Sequence, residues 1–177
     1  MPVTLRSARL DDATAIARVH IASWQTAYRG IFPDAYLDGM TDGYSKRRAR
    51  WEHGLQHPES AGTTTFVVED VGEGVVGFAT AGSARKPELG FAGELHAIYL
   101  LAGHRRGGLG RLLFRRCCDH LCDLGIGDMY VMVLEKNPAC HFYRGMGGVL
   151  VVGFKDTLTI AGTAVDEIAF GWTKIPG

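Results

Sequence analysis

At 177 residues, with 46% hydrophobic and 21% charged side chains, the chain has the make-up of one globular domain with a substantial core. Lys plus Arg number 19 and Asp plus Glu number 19, so the net charge is zero, which argues against a broad basic surface for nucleic acid. No apolar run reaches the length of a membrane span and Met1 to Arg9 lacks the apolar core of a secretory signal, so the chain reads as cytoplasmic. Val3 to Arg6 predicts a first strand. Asp11 or Asp12 then caps a helix to about Tyr28, with Ile16, Ala17, Val19, His20 and Trp24 on its apolar side. Gly30 stops that helix, Pro33 to Leu37 forms a helical turn, and Lys46 to Leu55 a further helix whose Lys46-Arg47-Arg48-Ala49-Arg50 run reads as a solvated face.

Thr63 to Val71 and Val75 to Ala81 predict a hairpin around Gly72-Glu73-Gly74, and a loop from Ser83 delivers the chain to a strand at Glu94 to Leu100. That strand runs into Arg105-Arg106-Gly107-Gly108-Leu109-Gly110. Leu109, Leu112, Leu113, Cys117, Leu121 and Leu124 then follow at helical spacing. A glycine turn opening onto a helix N-terminus beside Arg105, Arg106 and Arg111 is an anion site by construction, with phosphate the usual anion. The stretch has neither the lysine-serine/threonine ending of a nucleoside triphosphate loop nor the third glycine of a dinucleotide fingerprint. A phosphate-bearing ligand of another kind is implied. Downstream come a strand at Met129 to Leu134, a short helix from Asn137-Pro138 to Arg144, and two strands at Val149 to Ile160 and Val165 to Trp172. The order β-α-α-β-β-β-α-β-α-β-β predicts a mixed sheet of about seven strands with helices on both faces, in a single domain over 1–177. Cys117, Cys118, Cys122 and Cys140 show no zinc-ligand spacing, and no metal is expected.

Two blocks, Glu94 to Leu100 with Arg105 to Gly110, and Leu134-Glu135-Lys136-Asn137-Pro138-Ala139-Cys140-His141-Phe142-Tyr143, resemble the GNAT superfamily of acetyl-CoA-dependent N-acetyltransferases. Ser23 to Gly30 with Pro33 is similar to the acceptor-side entry of many bacterial members. The resemblance implies a single-domain α+β fold, three layers α/β/α around a mixed, mostly antiparallel sheet. It also implies direct transfer of acetyl from acetyl-CoA to an acceptor primary amine, on a small molecule or a protein. The main chain from Arg106 to Arg111 would hold the pyrophosphate, with Arg105, Gly107, Gly108, Leu109 and Gly110 in the same loop. The main chain of Ile98, Tyr99 and Leu100 would pair with the pantetheine arm, and Asn137 would bond that arm or cap its own helix.

In the roles carried over, Tyr143 faces the coenzyme sulfur as the acid, and Glu94 is the candidate base. His96 or a water chain is the alternative base; in a regular strand His96 shares the face of Glu94, and a bulge would change that. Tyr28 and His96 are candidates to line the acceptor site. Cys140 beside His141 is not needed as a nucleophile in direct transfer. Ala102-Gly103 and His104 depart from the proline and aromatic frequent in the family, leaving a more flexible entry to the loop. The other function class to weigh is a non-catalytic acyl-CoA-binding sensor. The C-terminal strands offer a surface on which two copies of the chain would pair.

Overall fold

The structure, a computed structural model, describes residues 3–57 and 62–177. Its strands are β1 (Val3–Ser7), β2 (Thr63–Asp70), β3 (Gly74–Ser83), β4 (Gly93–Leu100), β5 (Met129–Leu134), β6 (Val149–Leu150), β7 (Asp156–Ile160) and β8 (Thr163–Trp172). Its helices are α1 (Ala13–Ala27), α2 (Asp34–Asp38), α3 (Tyr44–Gln56), α4 (Leu109–Asp123) and α5 (Ala139–Gly145). The strands make one sheet in the order β1-β2-β3-β4-β5-β8-β6, with β7 also paired to β8. Every pairing is antiparallel except β4 with β5.

Helices cover both faces. On one face α4 buries Leu113, Phe114, Cys117, Cys118 and Leu121 against Phe66, Val76, Leu95, Met129 and Val131 of the sheet, with Tyr143 of α5 in the same core. On the other, Ile16 and Val19 of α1 pack on Val67, Val75 and Phe78, with Trp51 and Leu55 of α3 behind them. A third cluster, at the C-terminal end of α1, joins Ile21, Tyr28, Phe32, Leu37 and Met40 to Leu134 of β5.

Four sequence expectations change. Val149 to Ile160 is two strands, because Gly153 takes φ 83° in the intervening segment and the pairing along β8 shifts register between β6 and β7. Asp12 does not cap α1: it accepts the Arg9 backbone N–H at 2.7 Å and takes both ends of the Arg6 guanidinium at 2.7 and 2.9 Å. Leu112 and Leu124 lie at the exposed margin of α4, while Phe114, outside the periodic set, is buried. Arg47 is not on a solvated face. Its guanidinium turns inward, 3.3 Å from His20 Nε2 and 6.0 Å from the centre of the Trp24 ring.

Phe114 joins α4 to α5 and β8 through its ring contacts with Phe142 and Trp172. Phe114→Ala should cost about 3–5 kcal/mol of unfolding free energy. Urea denaturation will read this as a lower midpoint at an unchanged slope.

Candidate active site

The site begins where a ladder stops. β4 and β5 pair in parallel only at Gly93 with Met129 and Glu94 with Tyr130, although both strands continue. Beyond that root they part, and a wedge opens in the middle of the sheet. The direction of the β4 main chain follows from alternation. The Leu101 N–H donates to the Val76 carbonyl of β3 at 2.9 Å. The groups of Tyr99 and Ala97 therefore also face β3, and those of Ile98 and Leu100 face the wedge. Of these, the Leu100 carbonyl accepts from Ser23 Oγ at 3.0 Å and Arg105 Nε at 3.1 Å. Ile98 keeps its N–H and carbonyl, and Leu100 its N–H, directed into the opening.

A bulge sits in the same strand. Thr80 pairs with Ala97 and Ala81 with Leu95, so His96 is the extra residue. Its effect is to flip the face of everything after it. Leu95 joins the core under α4, Ala97 and Tyr99 the core under α1, and Ile98 the α4 side again. His96 thus falls outside the regular alternation; its Nε2 lies 3.1 Å from the Ser83 carbonyl, and its charge is coupled to those of Glu94 and Arg85. Burial lowers its pKa.

At the end of β4 the chain turns through Arg106 (φ 66°) and Gly108 (φ 85°) into α4. Two left-handed residues within three, one of them not glycine, are strained backbone held by its surroundings. No side chain caps α4, and the backbone N–H groups from Arg106 to Arg111 have no acceptor among the described residues. They form an anion-binding nest at the positive end of a helix. The Arg105 guanidinium is directed elsewhere, to Leu100 and to Thr26 Oγ1 at 2.8 Å, so it ties the loop to α1.

Tyr143 stands on the α4 side of the wedge, 5% exposed, in ring contact with Phe142, Phe170 and Trp172. Its hydroxyl makes no hydrogen bond among the described residues, and burial holds it protonated far above neutral pH. Asn137 caps α5: its Oδ1 accepts the Ala139 N–H at 2.9 Å. On the other side, the Tyr28 and Tyr99 hydroxyls lie 3.2 Å apart. Burial raises both their pKa values, and the charge of Glu167 adds to each.

Glu94 is 1% exposed at the root of the wedge. Its Oε2 accepts the Arg85 N–H at 2.9 Å and the Tyr130 hydroxyl at 2.7 Å, and its Oε1 accepts Arg85 Nε at 3.0 Å as well as Nη2. Burial pushes this carboxyl up, but the hydrogen bonds from Arg85 and Tyr130 outweigh it and the pKa lies below the ordinary value. Glu94 is thus a satisfied anion that stitches β4 to β5 and to the loop after β3. Beside it lies a cavity of about 290 Å³, lined by Arg85, Lys86, Glu94, Tyr130, Met132 and Glu167. Glu167 escaped the sequence reading because it sits in a strand far from either motif, and only the β5–β8 pairing, with Leu134 opposite Glu167, carries it here. A larger hollow of about 510 Å³, lined by Leu10, Asp11, Thr14, Glu52 and Gln56, shares no residue with the wedge. Among the described residues no cluster of His, Cys, Asp and Glu is placed to hold a metal ion, and no helix is long and apolar enough to cross a membrane.

A sheet parted beside a helix-borne anion nest, with a protonated tyrosine on one side of the gap and a cavity with two carboxylates on the other, forms a slot for an extended, phosphate-bearing ligand. Comparison with known proteins identifies the class, an acyltransferase. Residues 21–147 match the model of the acetyltransferase (GNAT) family. The chain is 36% identical over 173 residues to the uncharacterised N-acetyltransferase YuaI of Bacillus subtilis, covering 98% of this chain and 94% of that one. It is 28% identical over 168 residues to the L-amino acid N-acyltransferase MnaT of Escherichia coli, covering 93% and 90%. Among solved structures, YncA from Salmonella typhimurium with its cofactor acetyl-CoA superposes with a TM-score of 0.69 at 21% identity, covering 100% of this chain and 96% of that one. The chain belongs to the GNAT acetyltransferase family.

The Arg85–Glu94 pair makes a signed prediction. In the intact protein the Glu94 carboxyl titrates below its unfolded value, so its contribution to stability is full above the unfolded pKa and is lost as pH falls through the folded one. Arg85→Gln removes the main partner and leaves the Tyr130 hydroxyl and the backbone N–H against burial. The acid-side loss of stability should then shrink, so that the variant gains on wild type as pH drops below about 5. Urea denaturation of both proteins across that range will measure it.

Proposed function

We propose that the chain transfers an acetyl group from acetyl-CoA to the primary amine of a small cationic acceptor by direct attack. The observation that carries this reading is the meeting of two features: the open N–H and carbonyl of Ile98 with the N–H of Leu100 in the wedge, and the N–H nest from Arg106 to Arg111 at its mouth. A pantetheine arm is extended and amide-bearing, which suits it to lie along β4 as a missing strand, and a pyrophosphate suits the nest. Gly107, Gly108, Leu109 and Gly110 let the backbone approach the phosphates, and Gly108 alone of these must be left-handed. Arg105 and Asn137 serve by fixing the loop and α5, and Tyr99 through its side chain. YncA holds acetyl-CoA on a similar fold, which supports the choice of donor.

The chemistry needs little covalent help. The acceptor nitrogen forms the new bond to the thioester carbon, the carbon–sulfur bond breaks, and its electron pair leaves on sulfur. Donors in the wedge polarise the thioester carbonyl. Tyr143 supplies the proton to the leaving thiolate; its protonated, unbonded hydroxyl supports that role. Tyr28 and the cavity beside Glu94 form the acceptor side, and His96, coupled in charge to Glu94, belongs with them. A cavity of about 290 Å³ suits a small molecule rather than a folded protein surface, and MnaT is by name an acyltransferase for L-amino acids.

Calorimetric titration with acetyl-CoA, ATP and NAD tests the donor: saturable binding of acetyl-CoA alone is expected, and no binding of it overturns the reading. Tyr143→Phe should bind acetyl-CoA as wild type does and lower kcat by about 10²-fold, read as free-thiol release with an amine acceptor. Gly108→Val should weaken acetyl-CoA binding at least about tenfold, since its left-handed φ excludes a branched side chain.

A further inference from the structure

Within the acceptor cavity the charges do not cancel. Arg85 is taken by Glu94, and Lys86 by Asp156, whose Oδ2 lies 2.7 Å from Lys86 Nζ. Both cations at the cavity wall are thereby spent on other carboxylates. Glu167, half-buried on β8 between Leu134 of β5 and Asp156 of β7, makes no hydrogen bond or ion pair among the described residues. The charged and titratable groups around it are Arg85 and Lys86 from the loop after β3, Glu94 and Tyr99 from β4, Tyr130 from β5, Asp156 from β7 and Tyr28 at the end of α1. One negative charge is left over, next to the two tyrosines that border the wedge. A half-buried carboxylate without a counter-ion is a costly arrangement unless something cationic completes it.

We propose that the acceptor's ammonium group completes it, and that Glu167 rather than Glu94 receives the proton which frees the amine for attack. The two carboxylates divide the work because their surroundings differ. Glu94 accepts four hydrogen bonds and has no need of a proton. Glu167 has none, and burial followed by the charge of Asp156 moves its pKa upward, toward the range useful to a base near neutral pH. The protons balance as follows. Of the two the nitrogen sheds, Glu167 takes the first and returns it to solvent. The second replaces the proton that Tyr143 gives to sulfur. Net, one ammonium and one thioester yield one amide, one thiol and one proton.

The inference rests on the acetyl-transfer reading, so the test separates the two. Wild type is assayed by thiol release with acetyl-CoA and L-methionine, spermidine or tryptamine; transfer to none of them overturns that reading and this inference with it. With the best of those amines, Glu167→Gln should lower kcat/KM by about 10²-fold at neutral pH and displace the acid limb of the pH profile upward toward the amine's own pKa. Glu167→Asp should recover part of the loss, and both variants should bind acetyl-CoA as wild type does by calorimetry. Glu94→Gln should keep the wild-type position of the acid limb. If Glu167→Gln stays within about twofold of wild type, or if the limb moves with Glu94→Gln instead, Glu167 is not the base.

Discussion

The parting of β4 from β5 is the constraint on which the rest of the molecule depends. A parallel pair in the middle of a sheet normally runs its full length, because each unpaired main-chain group in a covered interior loses its water without gaining a partner. Here the pairing ends at Glu94 and Tyr130, and the Ile98 N–H and carbonyl and the Leu100 N–H are left over. The root is held shut by a network, Arg85 and Tyr130 on Glu94 and the Lys86 N–H on the Tyr130 hydroxyl at 3.0 Å. At the far end a different helix packs against each strand: α1 with Ser23 on the Leu100 carbonyl of β4, and α5 with Cys140 Sγ on the Leu134 carbonyl of β5 at 3.6 Å.

The bulge at His96 works on the same strand for a different end. Without it, Leu95, Ala97 and Tyr99 would share one face, and Tyr99 would lie in the core under α4. The extra residue sends Tyr99 instead to Tyr28, Phe78 and His20 on the α1 side. One inserted residue thus sorts the side chains of β4 between the two faces of the sheet. Burial sorts the titratable groups in turn. Tyr143 and Tyr28 are kept protonated by desolvation, Glu94 is kept ionised by its donors, and burial moves Glu167 upward from its ordinary value.

Much of this was legible in the chain itself. The β4–loop–α4 stretch declares itself because strand, glycine turn and amphipathic helix each have a local signature, and Tyr143 lies on a short helix whose start is marked by Asn137-Pro138 just before it. Arg47 misled because four basic residues in a stretch of five resemble a solvated face, whereas the inward turn of one of them depends on His20 and Trp24 of another helix. Glu94 was found as a residue but not as an ion pair, since Arg85 lies in a loop with no motif of its own.

What the sequence determined by itself was therefore the order and type of the elements, the anion nest and the family, all of which follow from neighbours along the chain. The tertiary structure decided the rest: where the β4–β5 ladder stops, which residue is extra in β4, which carboxylate is neutralised and which is not. Those outcomes turn on pairings between residues far apart in sequence, Thr80 with Ala97, Lys86 with Asp156 and Leu134 with Glu167. A carboxylate's charge state is set by what surrounds it in space, and no local pattern records that.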